Sequence, residues 1–182
     1  TEAIYLIAQT FGKHPVIPAP TFSEYEDACN MFPRSAGIID ISSRNKKQKT
    51  MLWLCNPNNP IGEVYDQLYI DRMMAEYDLL VLDLSYENYT DAHIMNPRWG
   101  CRKPYSVQIH SMTKSYAIPG LRLGYITAHE SLTSQIRQYL RPWSVSALAL
   151  EAGKFLLEHD ELICKPDLHE ARRLAKELEQ IG

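Results

Sequence analysis

What the chain lacks narrows the field first. Its 182 residues include four cysteines, Cys29, Cys55, Cys101 and Cys164, and no two of them form a Cys-x-x-Cys pair, which argues against both a zinc site and a disulfide framework. Such isolated thiols fit a reducing, cytoplasmic compartment. No run is apolar for long enough to cross a bilayer, and no charged-then-apolar leader stands at the start. Positive charge is not in surplus either: the formal net charge is -3, so there is no general attraction to nucleic acid or to an anionic membrane. The one basic run, Arg44 to Lys49, reads as a solvated turn between two apolar segments. Neither G-x-x-x-x-G-K-[ST] nor G-x-G-x-x-G occurs, which excludes the two common glycine loops for phosphate.

What is present is the composition of a globular domain, 45 % hydrophobic and 23 % charged, in a chain long enough for one sizeable core. Short apolar runs alternate with longer helical patterns. Strands are expected at HPVIPAP, AGIIDIS, TMLWLCN, LLVLDLSY, YSVQIHS and LRLGYITA. Helices are expected at FSEYEDACNMF, YDQLYIDRMMAEY, 131–140, 145–159 and 167–180. Strands apolar on both faces and separated by helices predict an α/β fold, a mainly parallel sheet covered on both sides. Ligands are then expected at the carboxyl edge of that sheet. The chain opens on an amphipathic helix with Thr1 in the capping position and closes on another, with Leu168, Ala171, Leu174, Leu178 and Ile181 along one face. It therefore reads as an internal piece of something longer. The apolar face of Leu148 to Leu157 reads as core.

Polar residues crowd the strand ends. CNPNNPIG, Cys55 to Gly62, follows MLWL; it is either a plain Asn-Pro turn or a rigid loop presenting its amides outward. Asp83 ends an apolar strand with Tyr86 three residues on. It is a loop cap or a carboxylate awaiting a cation. Lys114 stands in Ser-Met-Thr-Lys-Ser, where Ser111 and Thr113 offer hydroxyls, and Arg122 follows eight residues later in a glycine-flanked turn. A lone lysine is usually a surface residue, but a desolvated one is a nucleophilic amine able to form a Schiff base. An arginine fork suits a phosphate dianion. One ligand uses all of these together: a cofactor with an aldehyde, a pyridine nitrogen, a phenolic oxygen and a phosphate. His110 reads as a packed, hydrogen-bonded residue rather than an acid or base, and His159 and His169 have no partner at metal spacing.

NPNNPIG, DLSY, SMTK and PGLRLGY, in this order and at these separations, resemble the aspartate-aminotransferase superfamily of fold type I pyridoxal-phosphate enzymes, over essentially the whole chain. The resemblance implies a three-layer α/β/α large domain over residues 1–160 and, in 161–182, a helix leading towards a small C-terminal domain. It implies that Lys114 forms the Schiff base and later shuttles protons, and that Asp83 pairs with the pyridine nitrogen. Asn59 and Tyr86 would bond the phenolic oxygen, and Asn59 would also face the substrate. Ser111, Thr113 and Arg122 would hold the phosphate, with Thr1 adding a helix N-terminus. Phe22 takes the place of the aromatic that stacks on the ring. The family usually has a second acidic residue just after the strand-end aspartate; here Leu84 and Ser85 follow.

Two subfamilies come close. NPNNP is shared with histidinol-phosphate aminotransferases, whereas PTFSEYEDA at Pro20 to Ala28 and RPWSVSALALEAG at Arg141 to Gly153 are more similar to threonine-phosphate decarboxylases of cobalamin synthesis. Decarboxylation of an amino acid phosphate is the favoured expectation and transamination the alternative. The bland alternative for PWSVSALA is a helix start packing Trp143 in the core. A homodimer is implied, with neither nucleic acid nor membrane as partner. A noncatalytic pyridoxal-phosphate-binding regulatory domain is a third reading, for which no basic helix-turn-helix segment speaks.

Overall fold

The computed structural model describes residues 1–12, 14–32, 50–94 and 99–181. The expected AGIIDIS strand and the basic turn at 44–49 lie outside these residues. Among the described residues, five strands form one sheet in sequential order: β1 (Pro15–Val16), β2 (Met51–Cys55), β3 (Leu79–Asp83), β4 (Ser106–Ser111) and β5 (Gly124–Ala128). β1 to β4 run parallel, and β5 closes the edge antiparallel to β4. Every residue of β2 and β3 is buried, as expected of parallel strands covered on both faces.

Alternation along the strands sorts the core into two layers. Met51, Trp53 and Cys55 of β2 join Leu79 and Val81 of β3 on one face, under α1 (Glu2–Phe11), α2 (Glu24–Met31) and α5 (Glu130–Arg137). Leu52, Leu54, Leu80 and Leu82 point to the other, where α3 (Gln67–Glu76) adds Ile70. Capping fixes where some helices begin: Asp66 accepts from Tyr69 N at 2.8 Å ahead of α3, and Ser146 accepts from Ala149 N at 3.2 Å ahead of α6 (Ala147–Leu157). Thr1 occupies the N-cap of α1, but its side chain makes no capping bond.

In the last third of the chain one expectation fails, and so does the bland alternative for PWSVSALA. The apolar residues of α6 are not core: Leu148, Leu150, Phe155 and Leu157 are exposed and only Ala149 and Gly153 are buried. The large residues are scattered around the helix, so the small Ala149 and Gly153, four apart, make the contact. A Cβ at Gly153 would meet Leu123 Cδ2 at 2.5 Å. Trp143, offered above as a core residue, is 96 % exposed at φ 57. The terminal helix α7 (Leu168–Ile181) has no buried residue among those described.

Leu82 is fully enclosed at the sheet centre. Leu82→Ala should lower the unfolding free energy by about 2–5 kcal/mol in urea titration, and a loss below about 1 kcal/mol would show that this layer is not the core.

Candidate active site

Parallel pairing brings three strand ends abreast: Cys55 lies opposite Asp83, and Asp83 opposite Ile109. Period-two alternation turns the Asp83 side chain to the face of Val81, beneath α1 and α2. The carboxylate is 4 % exposed. Oδ1 accepts from Ser85 N at 2.9 Å and Oδ2 from the Tyr25 hydroxyl at 2.8 Å. The loop cap is therefore real, but it engages one oxygen only. Among the described residues no cation pairs with Asp83.

The asparagines of the Asn-Pro loop do not all face outward as expected. Asn56 and Asn58 are buried because their amides supply what buried backbone lacks. Asn56 Nδ2 donates to Tyr65 O and its Oδ1 accepts from Tyr65 N, both at 2.9 Å. Asn58 Nδ2 donates to Pro20 O at 2.8 Å, and its Oδ1 accepts from Thr21 Oγ1 at 2.7 Å. The second clamp carries the segment holding Phe22 to the end of β2. Asn59 is left partly exposed and lines the cavity.

Antiparallel pairing of Ser111 with Gly124 makes everything between them one closed excursion. A Cβ at Gly124 would sit 2.7 Å from His110 O, so glycine permits this pairing. The excursion starts with α4 (Met112–Ser115), which carries Lys114, and returns through the 3-10 turn Pro119–Leu121 to Arg122. Lys114 Nζ lies 5.3 Å from the centre of the Tyr86 ring and has no carboxylate partner among the described residues. Ser111 and Thr113 hydroxyls meet at 2.7 Å. Arg122 is left-handed at φ 51, ψ 47, with Nη1 donating to Pro119 O at 3.1 Å.

All nine residues singled out above line one cavity of about 560 Å³, within the range of small-molecule sites. Thr1 and Phe22 contribute from one side, Asn59, Asp83 and Tyr86 from the sheet edge, and Ser111, Thr113, Lys114 and Arg122 from the excursion. The N-terminal end of α1, Thr1 to Ala3, lies at the cavity rim, where the first N–H groups of a helix have no intrahelical acceptor; Ile4 N already bonds Thr1 O at 2.9 Å. The donor set fits pyridoxal phosphate. A buried carboxylate with two donors and no cation leaves room for a protonated ring nitrogen. A lysine without an acid can give its amine to an aldehyde, and the hydroxyls, guanidinium and helix end suit a phosphate.

Sequence reasoning missed Tyr25. Its ring stacks on Trp53 with centroids 5.0 Å apart and meets the edge of Phe22 at 5.7 Å. Burial, then the Asp83 charge, push its hydroxyl far above the ordinary tyrosine value, so it remains a donor. Its signal was its place three residues after Phe22, at the start of a helix facing the same way. Cys55, a wall residue donating to Pro57 O at 3.2 Å, carried no signal. Among the described residues no group of acidic, thiol or imidazole side chains could hold a metal. No helix there is long and apolar enough to cross a membrane.

An open α/β sheet with a lysine excursion beside a strand-end carboxylate defines the class, that of enzymes built around a carbonyl cofactor. The profile of the family "Aminotransferase class I and II" matches residues 1–181. The chain belongs to that family, whose enzymes use pyridoxal phosphate. The histidinol-phosphate aminotransferase of Desulfitobacterium hafniense strain Y51 is 26 % identical over 99 % of this chain and 54 % of its own length. The crystal structure of L-threonine-O-3-phosphate decarboxylase from Porphyromonas gingivalis superposes with a TM-score of 0.80 at 35 % identity, covering 91 % of this chain and 53 % of that one. That of the histidinol-phosphate aminotransferase from Clostridium acetobutylicum shares the fold, at 22 % identity and TM-score 0.74 over 100 % of this chain and 60 % of that one. The chain thus spans about half the length of the curated relatives it matches.

Two buried thiols, Cys55 on the cavity wall and Cys29 in the core, make stability fall in alkali. Burial first, then Asp83, raises the Cys55 thiol from 9.0 to about 11, and burial raises Cys29 likewise to about 11. Between these values the unfolded chain releases protons that the native state keeps. Stability is therefore full below pH 9 and falls towards pH 11, by on the order of 2 to 3 kcal/mol per thiol. Urea unfolding at pH 8 and pH 11 should show this decline, and the Cys29→Ala, Cys55→Ala double variant should show a shallower one; equal slopes would refute the assignment.

Proposed function

We propose that the full-length protein is a pyridoxal-phosphate-dependent decarboxylase that converts O-phospho-L-threonine to (R)-1-amino-2-propanol phosphate, the reaction associated with cobalamin biosynthesis. The observation that carries this reading is the 35 % identity to the Porphyromonas gingivalis decarboxylase across 91 % of the chain, combined with a cavity presenting every group the cofactor needs. The similarity of Arg141 to Gly153 to that subfamily supports it. The matched histidinol-phosphate aminotransferase, aligned over 99 % of the chain, favours a second reading, transamination. In both, residues 1–160 serve as the large domain, 161–182 lead towards a small domain, and the protein works as a homodimer on a small amino acid phosphate.

When bound, the cofactor supplies an electron sink conjugated to the substrate's Cα. Asp83, whose carboxylate accepts from Tyr25 and Ser85 N, would face the ring nitrogen. Phe22 would cover one ring face, and Asn59 and Tyr86 would donate towards the phenolic oxygen. Ser111, Thr113, Arg122 and the α1 N-terminus would hold the phosphate. Lys114 Nζ would be the amine that holds the cofactor's aldehyde carbon, and it would hold or move a proton beside the substrate's Cα. Decarboxylation would require it to deliver one proton to Cα in place of the carboxylate lost as carbon dioxide, and transamination would require it to take the Cα proton instead. The residues described here are common to both; substrate grip separates them.

The deciding assay gives the loaded full-length protein O-phospho-L-threonine without a keto acid. Carbon dioxide and aminopropanol phosphate over many turnovers are expected. A single conversion that resumes only on adding 2-oxoglutarate would overturn decarboxylation in favour of transamination. Two variants test the shared machinery. Lys114→Ala should abolish the visible absorbance of the covalently held cofactor and slow turnover at least about a hundredfold. Asp83→Asn should retain much of the cofactor yet lose about a hundredfold or more in rate; normal turnover would dismiss Asp83 as the ring-nitrogen partner.

A further inference from the structure

Behind the lysine excursion runs a chain of polar side chains that takes no part in the proposed chemistry. His110, on β4, is 5 % exposed, and its ring stacks on Tyr125 with centroids 4.6 Å apart and planes 15° from parallel. Nδ1 lies 3.0 Å from Glu87 Oε1 and Nε2 3.0 Å from Thr127 Oγ1. Thr127 donates in turn to Gln108 Oε1 at 2.8 Å. Packing alone does not ask for an imidazole here, since a phenyl ring would keep the stack on Tyr125. Burying a polar ring is costly unless both nitrogens are satisfied, and here both are.

The significance lies in what Glu87 belongs to. It opens the 3-10 turn Glu87–Tyr89, immediately after Tyr86. Its neighbour Asn88 donates Nδ2 to Ser115 Oγ at 2.9 Å. The turn presenting Tyr86 is thus pinned on both sides of Lys114, through Glu87 to His110 just before Ser111 and through Asn88 to Ser115 just after the lysine. Between the two pins the Tyr86 ring lies 5.3 Å from Lys114 Nζ.

We propose that the His110–Glu87 pair is a positioning device that sets Tyr86 against Lys114 and thereby tunes how tightly the lysine nitrogen holds its proton when the cofactor is attached. This rests on the reading of Tyr86 as a donor to the cofactor's phenolic oxygen. A well-placed donor occupies a lone pair that otherwise accepts the N–H of the linked lysine nitrogen. With Tyr86 loosened, that N–H bond strengthens and the proton is kept to higher pH. The charged group facing His110 is Glu87, and Tyr125 covers its ring; Tyr116 and Asp160 are ionisable groups around Tyr125.

The test uses the full-length protein loaded with pyridoxal phosphate, as wild type, His110→Phe, Glu87→Ala and the double variant. Bound-cofactor absorbance is titrated against pH, cofactor Kd is read by fluorescence quenching, and unfolding in urea is followed in parallel. Each single variant should raise the pH midpoint by about one unit, and the double variant should move it no further than either single, because the two act as one pair. Glu87 is partly exposed on a turn, so Glu87→Ala keeps the test open if His110→Phe fails to fold. A folded Glu87→Ala with the wild-type midpoint, whatever its stability, would overturn the inference, as would shifts that add. A wild type that binds no cofactor would remove the reading beneath it; one that binds normally while the variants leave the midpoint unmoved would overturn the positioning role alone.

Discussion

The structure turns on one buried negative charge. Asp83 ends the fully buried β3 strand, and its side chain has two hydrogen-bond donors but no cation from the described residues. A carboxylate is tolerated away from water only when its charge is answered. Tyr25 and Ser85 N answer part of it, on the side chain that lines the cavity. Several other features follow from that choice. α2 must deliver a tyrosine to the sheet edge, Trp53 must lie flat beneath it, and Asn58 must hold the Phe22 segment where α2 can begin. The core layer under α1 and α2 therefore packs hydrocarbon and also carries an aromatic stack aimed at one acid.

Around this fixed point the sheet divides the labour between its two kinds of pairing. Parallel strands bring their ends to a common edge, which makes a floor. The antiparallel β5 does something a parallel strand could not do over so short a connection: it returns the chain beside its own departure point. The lysine and the arginine, eight residues apart, are thereby held by one closed excursion whose ends are tied at Ser111 and Gly124. The Gly124 contact and the Pro119 turn are what make this return possible.

Much of this was legible from residue order. Apolar runs located the described strands, and strand-end polarity located Asp83, Tyr86, Ser111, Thr113, Lys114 and Arg122 on the cavity, whereas Phe22 and Thr1 were placed there by the family resemblance. What escaped shows the limits of one-dimensional pattern. The amides of Asn56 and Asn58 face inward because loop backbone buried nearby needs partners, and nothing in an Asn-Pro dipeptide announces which carbonyl will be near. Tyr25 looked like one more aromatic on an amphipathic helix, since its hydroxyl's destination, Asp83, is 58 residues away. In α6 the apolar count was right and the face was wrong, because close approach was made by the smallest residues, not the largest.

Arg122 carries a consequence of a different kind. Its backbone sits in the left-handed region, where a side chain with a Cβ costs roughly 1 kcal/mol or more relative to glycine, and its side chain lines the cavity. If the guanidinium holds an anion as proposed, selection for a firmer fold and selection for anion capture would pull this position in opposite directions. In a drifting lineage that had lost its ligand, the strain would remain while the benefit vanished, and glycine or asparagine would be free to spread. Under the proposed role, the residue at 122 would serve as a historical marker, since an arginine kept in that posture would record that something anionic had continued to be bound.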